Sequence, residues 1–333
     1  MDIRLVAKRA GVSTATVSRT LNGGGTVGKK LQERVWKAAR ELNYYPNSQA
    51  RALVSGRSRI LGLVVSEITN PFFPELIQSF EAAAIARGFE ILVASTNDDL
   101  KRIGECAKRM IERKVEGVAI MTFGMEEPLV KILASRKIRM VTAGNVKAKV
   151  HVPHLVVDYR HGIQQALEHL AALGHTDIAF ITGPKSNTSS QKRLMAFKAA
   201  MHALHLPVEA KRIVTGDYKL EAGHRAMDIL MQQKTLPTAI VCANDMMAIG
   251  AQNAASMHGL RIPEDISIVG FDDIHIAEFM SPPLTTVRMS CTDLGQAAVN
   301  VLICPKAGKR REMTTITTSL IVRNSTGPVC KRA

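Results

Sequence analysis

Two sets of side chains in this 333-residue sequence have types and spacing suited to recognising another molecule. Thr14, Ala15, Ser18, Arg19 and Asn22 form the first. At about 100° per residue they fall on one side of a helix, with Val17, Thr20 and Leu21 on the other. A small polar face with a single arginine suits the DNA major groove, where a guanidinium bonds a guanine edge bidentately. The second set is Arg193, Asn244 and Asp272 with Asn70, Phe72, Phe73 and Tyr218. Guanidinium, amide and carboxylate groups bond hydroxyls while aromatic faces cover a ring, which is the chemistry of a sugar-like site. Each of these residues also has a plain structural use: Asn70 and Asn244 as loop caps, Arg193 as half of an ion pair with an aspartate.

Other chemistries find less support. No nucleophile is paired with a positioned base, so the chain is not expected to be an enzyme or to need a cofactor. The five cysteines, Cys106, Cys242, Cys291, Cys304 and Cys330, are odd in number and scattered, which argues against a disulfide frame or a zinc site. His151 with His154, and His202 with His205, are closely spaced but lack the cysteines or H-E-x-x-H context of a metal centre, so no metal is expected. The run from Gly23 to Lys30 matches G-x-G-x-x-G and nearly matches G-x-x-x-x-G-K-[ST]. A P-loop requires a strand before the first glycine and a hydroxyl after the lysine; here a helix precedes and Lys30 takes the hydroxyl position. A turn near the DNA backbone is the better reading.

The elements that position the first set are three short helices. Asp2 can cap a helix over residues 3–10, with Val6 and Ala10 inward, and Gly11 can end it in the left-handed conformation. Ser13 can cap the next helix, with Val12 and Val17 at the spacing of a hydrophobic staple. That is helix-turn-helix geometry. A third helix over 29–42 follows, with Leu31, Val35, Ala38, Ala39 and Leu42 inward and Trp36 at the edge of that face. Tyr45-Pro46 stops it, and a short helical stretch from Asn47 or Ser48 to Ser55-Gly56 is marginal alone, requiring its copy in a dimer or DNA as a partner.

The second set needs a different scaffold. From Ser58 onward apolar runs alternate with amphipathic stretches: strands are expected over 60–65, 91–94, 118–121, 140–142, 178–181, 213–215, 239–242 and 267–269, with helices between most of them. Alternating βα units imply parallel sheets with right-handed crossovers, and about ten strands suit two Rossmann-like subdomains better than one large sheet. Ligands of such sheets sit beyond the carboxyl ends of the strands, where Asn70, Phe72, Asn244 and Asp272 fall.

Charge separates the two parts. Residues 1–59 hold twelve Lys and Arg against three acidic residues, a net of +9 out of +15. A concentrated basic module is what phosphate neutralisation requires. The charged N-terminus and the lack of a long apolar run predict neither a signal peptide nor a membrane span, hence a cytoplasmic, nucleoid-associated protein.

The run Val6-Ala7-Lys8-Arg9-Ala10-Gly11-Val12-Ser13, then Thr16-Val17-Ser18-Arg19 and Tyr45-Pro46-Asn47 with Ala50-Arg51-Ala52-Leu53, resembles the head and hinge of the lactose-repressor (LacI/GalR) family of bacterial transcription regulators. The likeness continues through Leu170-Ala171-Ala172-Leu173-Gly174-His175, Asn244 to Gly250 and Pro282 to Val287, which look like the family's effector core, itself similar to periplasmic sugar-binding proteins. The resemblance implies a helix-turn-helix head over 1–46, a hinge helix and linker over 47–58, a two-subdomain effector and dimerisation core over 59–328, and a tail over 329–333. It implies base contacts from Thr14, Ala15 and Arg19, with Thr16, Ser18, Asn22 and Ala50 in the same interface and Leu53 as a wedge in the minor groove. It also implies Arg193, Asn244 and Asp272 as effector contacts, with Phe72, Phe73 and Tyr218 as walls. Where relatives often carry an aspartate this chain has Gly144-Asn145, and Gly28 replaces the usual hydroxyl cap of the third helix. The expectation is a homodimeric transcription regulator, most readily a repressor, that binds a pseudo-palindromic operator in double-stranded DNA under control of a small sugar or sugar acid. A periplasmic-type sugar-binding protein would share the core but not the head, and a nucleotide-dependent enzyme would need a different setting for the glycine run.

Overall fold

The computed structural model of the chain describes residues 2–21, 27–45, 56–97, 99–123, 126–143, 152–304 and 313–329. The chain divides into two compact units, residues 1–59 and 60–333. Asn22, Ala50, Leu53 and Gly144-Asn145 lie outside the described residues, as does most of the expected hinge helix.

In the first unit, local signals place each helix end. Asp2 accepts from the Arg4 amide and opens α1 (Ile3–Ala10), which ends at Gly11 with φ 63°. A Cβ at Gly11 would meet Arg34 Nη2 at 2.6 Å, and that same nitrogen donates to the Ala10 carbonyl at 2.6 Å. Ser13 Oγ accepts from the Thr16 amide at 3.1 Å and starts α2 (Thr14–Leu21). Gly28 precedes α3 (Lys29–Glu41) without a side-chain cap. Val6, Ala7, Ala10, Val17, Leu21, Val35, Ala38 and Ala39 form the core. Leu31, expected inward, is 37 % exposed, and Trp36 is 45 % exposed. The reason is length: α1 and α2 have eight residues each, roughly 12 Å, and cannot cover all thirteen residues of α3.

The second unit contains two six-stranded sheets. One has the order β11-β5-β4-β3-β1-β2, from β1 (Ile60–Val65), β2 (Glu90–Ser95), β3 (Gly117–Met121), β4 (Arg139–Ala143), β5 (His154–Val157) and β11 (Met313–Ile316). The other has the order β12-β10-β9-β8-β6-β7, from β6 (Ile178–Thr182), β7 (Ile213–Thr215), β8 (Ala239–Cys242), β9 (Ser267–Asp272), β10 (Thr285–Met289) and β12 (Thr318–Ile321). All pairings are parallel except β10 with β12, so the second sheet has one antiparallel edge that the βα alternation did not announce. Helices α4 (Phe72–Ile85), α5 (Leu100–Glu112), α6 (Glu126–Ser135) and α11 (Cys291–Ile303) belong to the first sheet; α7 (Tyr159–Ala172), α8 (Thr188–Ala203), α9 (Leu220–Met231) and α10 (Asp245–Met257) belong to the second.

The chain passes between these subdomains three times: at Asp158 between β5 and α7, at Ser290 between β10 and α11, and at Thr317 between β11 and β12. Two crossings are bonded to each other, since Asp158 donates its amide to the Ile316 carbonyl at 2.9 Å and accepts from Thr318 Oγ1 at 2.7 Å. No helix among the described residues is long and apolar enough to cross a membrane.

Candidate functional site

On α2, capping and packing decide which side chains face outward. Val17, Thr20 and Leu21 are buried, whereas Thr14, Ala15 and Arg19 are exposed and Thr16 and Ser18 are half-buried. Thr16 Oγ1 lies 2.9 Å from Ser13 Oγ, so its hydroxyl is partly spent on the helix start. Not all basic residues of the head are free to meet phosphate. Arg34 bonds the end of α1, and Arg9 pairs with Glu41 at 2.8 Å. The exposed Lys29 and Lys30 at the uncapped start of α3 oppose the helix dipole, an arrangement that phosphate would relieve.

In the second unit the loops after the parallel strands of both sheets face one cleft. It contains about 550 Å³ of space, part of it open to solvent, within the usual size of a small-molecule site. All seven residues singled out from the sequence line it: Asn70, Phe72, Phe73, Arg193, Tyr218, Asn244 and Asp272. Asn70 and Phe72 follow β1, Asn244 follows β8, and Asp272 ends β9. Arg193 comes from the first turns of α8, whose start Asn187 caps by accepting from the Ser189 and Ser190 amides.

Three of the seven also have the structural use the sequence allowed, for Asn70 and Asn244 act as caps and Arg193 pairs with an aspartate, Asp272. Asn70 Oδ1 accepts from the Phe72 amide at 3.1 Å. Asn244 caps α10 through the Met247 amide at 3.0 Å and donates to the Tyr218 carbonyl at 2.8 Å, leaving one N–H and one lone pair. The cap is therefore what aims the amide.

Arg193 is the centre of the polar wall. It is 5 % exposed, donates from Nη1 to the Ala243 carbonyl, and reaches Asp272 Oδ1 from Nη2 at 3.2 Å. Its guanidinium carbon lies 4.1 Å from the Phe271 ring centroid and 4.9 Å from that of Tyr159, so aromatic faces hold the plane. The buried Arg212 makes the contrast. All its donors are engaged, by both Asp177 oxygens, Gln233 Oε1, and the Thr235 carbonyl and hydroxyl. Arg193 Nε has no partner. A buried guanidinium with spare donors at a cleft is set up for an acceptor from outside the chain, whereas Arg212 is a structural clamp.

Electrostatics follow from burial. Burial pushes the Asp272 carboxyl up to about 7, although Arg193 pulls it the other way. Burial works to lower the Arg193 pKa, but Asp272, Tyr218 and Tyr159 carry it above its ordinary value, so the guanidinium stays charged. Asp272 and Tyr218 have φ of 121° and 70°, left-handed conformations unusual outside glycine, and both face the cleft. Such outliers cluster where side chains are held for a ligand.

Sequence reasoning missed Ser66, Glu67, Thr122, Phe123, Asn187, Ser189, Asp217 and Met289, which also line the cleft. The strand-end rule would have found Ser66 after β1 and Thr122 after β3 had it been applied to every strand. Phe123 joins Phe72 and Phe73 in an aromatic group, with centroids 5.8 and 6.2 Å from its own. Among the described residues no group of three His, Cys, Asp or Glu side chains could hold a metal ion.

Comparison with known proteins accords with this architecture. The family described as "Bacterial regulatory proteins, lacI family" matches residues 2–47, and "Periplasmic binding protein-like domain" matches 167–326. The HTH-type transcriptional repressor PurR of Actinobacillus pleuropneumoniae serotype 3 (strain JL03) is 35 % identical over 301 residues, covering 90 % of both chains. The HTH-type transcriptional regulator DegA of Bacillus subtilis (strain 168) is 34 % identical and covers 97 % of both. Among solved structures, the lac repressor dimer bound to operator and the anti-inducer ONPF superposes with a TM-score of 0.85 at 28 % identity, covering 97 % of this chain and 98 % of that one. The regulator CelR in complex with cellobiose superposes at 0.74 and 27 %, covering 98 % and 99 %. Helix-turn-helix head, twin-sheet body and near full-length likeness converge: the chain belongs to the lacI family of bacterial regulatory proteins and is a DNA-binding transcriptional repressor.

Proposed function

We propose that this repressor binds a pseudo-palindromic operator as a homodimer, and that a sugar or sugar acid held in the cleft sets its operator affinity. The head over 1–46 reads the duplex through Thr14, Ala15 and Arg19, with Thr16, Ser18 and Asn22 beside them. The segment 47–58 links it to the body, with Ala50 in the DNA interface and Leu53 as the wedge in the minor groove. The body over 59–328 binds the effector through Arg193, Asn244 and Asp272 against Phe72, Phe73 and Tyr218, with Asn70 at the rim. The protein works in the cytoplasm, on the nucleoid.

The observation that carries this reading is the cleft itself. Its walls belong to two subdomains that the chain joins through three crossings, two of them bonded to each other, so a ligand touching both walls biases their relative placement. By linkage, the ligand shifts operator affinity by as much as it distinguishes those placements. A hydroxyl-bonding polar wall facing an aromatic one favours a carbohydrate, and a related regulator was solved with cellobiose.

The test begins with selection of duplexes from a random library by the full chain, followed by anisotropy titrations with and without sugars and sugar acids. Two half-sites related by a dyad, a mass of two chains in the complex, and a shift in affinity with at least one such compound are expected. Binding to a single half-site by one chain would overturn the dimer, and indifference to every sugar and sugar acid would overturn the effector class.

A further inference from the structure

Among the described residues, four buried side-chain polar atoms have no hydrogen-bond partner: Thr122 Oγ1, His175 Nδ1, Arg193 Nε and Gln252 Oε1. Such groups are rare in folded proteins and each calls for an account. Two of the four line the same cleft, and they come from opposite subdomains. Thr122 follows β3 of the first sheet, and Arg193 lies on α8 of the second.

Neither atom is orphaned through a lack of local order. The Thr122 carbonyl accepts from Ser66 Oγ at 2.9 Å, which fixes the backbone beside the cleft, and the residue is 1 % exposed. The Arg193 plane is held by Asp272, the Ala243 carbonyl and the Phe271 ring. Both groups are buried, held and unpaired, so the missing partner is a molecule that enters the cleft. Arg193 Nε–H donates only, and therefore needs an acceptor. The Thr122 hydroxyl both donates and accepts, and is matched by a hydroxyl or a similar group. Beside Thr122, Phe123, Phe72 and Phe73 offer an apolar surface.

We infer that Thr122 is a specificity-determining contact of the effector. The occupant is a ring compound that presents an acceptor to Arg193 Nε at one edge and a hydroxyl-type group to Thr122 at the other, with one face on the phenylalanines. It thereby bridges the subdomains. This inference rests on the cleft being the effector site.

The experiment uses the full chain as wild type, Thr122→Val and Thr122→Ser. Valine keeps the shape of threonine without the hydroxyl; serine keeps the hydroxyl. Melting temperatures are measured alone and with D-glucose, D-ribose, D-glucuronate, cellobiose, adenine and guanine, and Kd values of any binder follow by calorimetry. Without added compound, Thr122→Val should melt at or above the wild-type temperature, because it removes an unpaired buried hydroxyl. Toward a bound compound it should weaken Kd roughly 3- to 10-fold, as expected for one neutral hydrogen bond, and Thr122→Ser should restore most of that loss. A fall of several degrees in the uncomplexed Thr122→Val protein would overturn the inference, since the hydroxyl would then serve the fold. Equal affinity of wild type and Thr122→Val for a sugar or sugar acid would overturn it while leaving the effector class standing. Binding of adenine or guanine alone, weakened in Thr122→Val, would uphold the contact and overturn the sugar. No binder in the panel would overturn the ring class proposed here.

Discussion

Arg193 and Asp272 share one salt bridge but differ in what they ask of the surroundings. Arg193 retains its charge, whereas burial raises Asp272 to about 7, far above the roughly 3.9 of an unfolded aspartate. A native state that holds this proton more tightly than the unfolded chain is stabilised at low pH, and that contribution fades as pH rises through about 7. Asp245, raised by burial to about 6, acts in the same sense. His169 and His175, lowered by burial, act oppositely: their contribution is present above the ordinary histidine range and is lost on acidification. Asp272→Asn should therefore remove one component alone, so wild type loses stability relative to the variant as pH is raised from 5 to 8. Melting curves across that range would show it; a pH-independent gap would mean that Asp272 does not titrate there. On the other unit, Arg19 is the one long cationic side chain of the exposed α2 face. Arg19→Ala should weaken binding to a selected duplex by about 1–3 kcal/mol and relax preference at one base pair per half-site. Unchanged anisotropy isotherms would remove Arg19 from the readout.

At the scale of elements, α9 and α10 meet through glycines. A Cβ on Gly250 would lie 1.9 Å from the Leu220 carbonyl oxygen, and one on Gly223 would lie 2.0 Å from that of Met247. The obstruction is backbone, which cannot swing aside. Gly250→Ala should therefore cost at least the 1–3 kcal/mol typical of overpacking and loosen the Asn244 cap at the start of α10. Thermal denaturation with a Tm equal to wild type would contradict this. Elements with a strong local signal were legible in advance: the caps at Asp2, Gly11 and Ser13, and the apolar runs of β1, β6 and β8, stand where the sequence put them. Strands β5, β10, β11 and β12 were not. Central β10 begins Thr285-Thr286, both fully buried, and periodicity cannot foresee that Thr286 Oγ1 bonds Asp245 at 2.5 Å while Thr285 Oγ1 bonds Thr326 at 3.1 Å. Strands β11 and β12 are four-residue edges, each with a single buried residue. The cleft was legible on its charged side, where residue type is diagnostic. On the other side Ser66 and Thr122 are ordinary residues, and only their placement after strand ends and their burial distinguish them.

At the scale of the molecule, the two units have separate hydrophobic cores and separate tasks in the proposed function. Dimerisation should be a property of the full chain in solution. Sedimentation equilibrium is expected to give about twice the 36.3 kDa chain mass at micromolar concentration, and a chain that stays at one mass there would count against it.

The three crossings between the sheets also dictate an order of assembly. The first sheet takes strands from residues 60–157 and then waits for β11 at Met313–Ile316; the second waits for β12 at Thr318–Ile321. During synthesis neither sheet can close its last edge until nearly the whole chain has left the ribosome. The two subdomains therefore mature together rather than in succession, and a chain halted between β10 and residue 313 carries two five-stranded sheets, each with an edge still open to pairing.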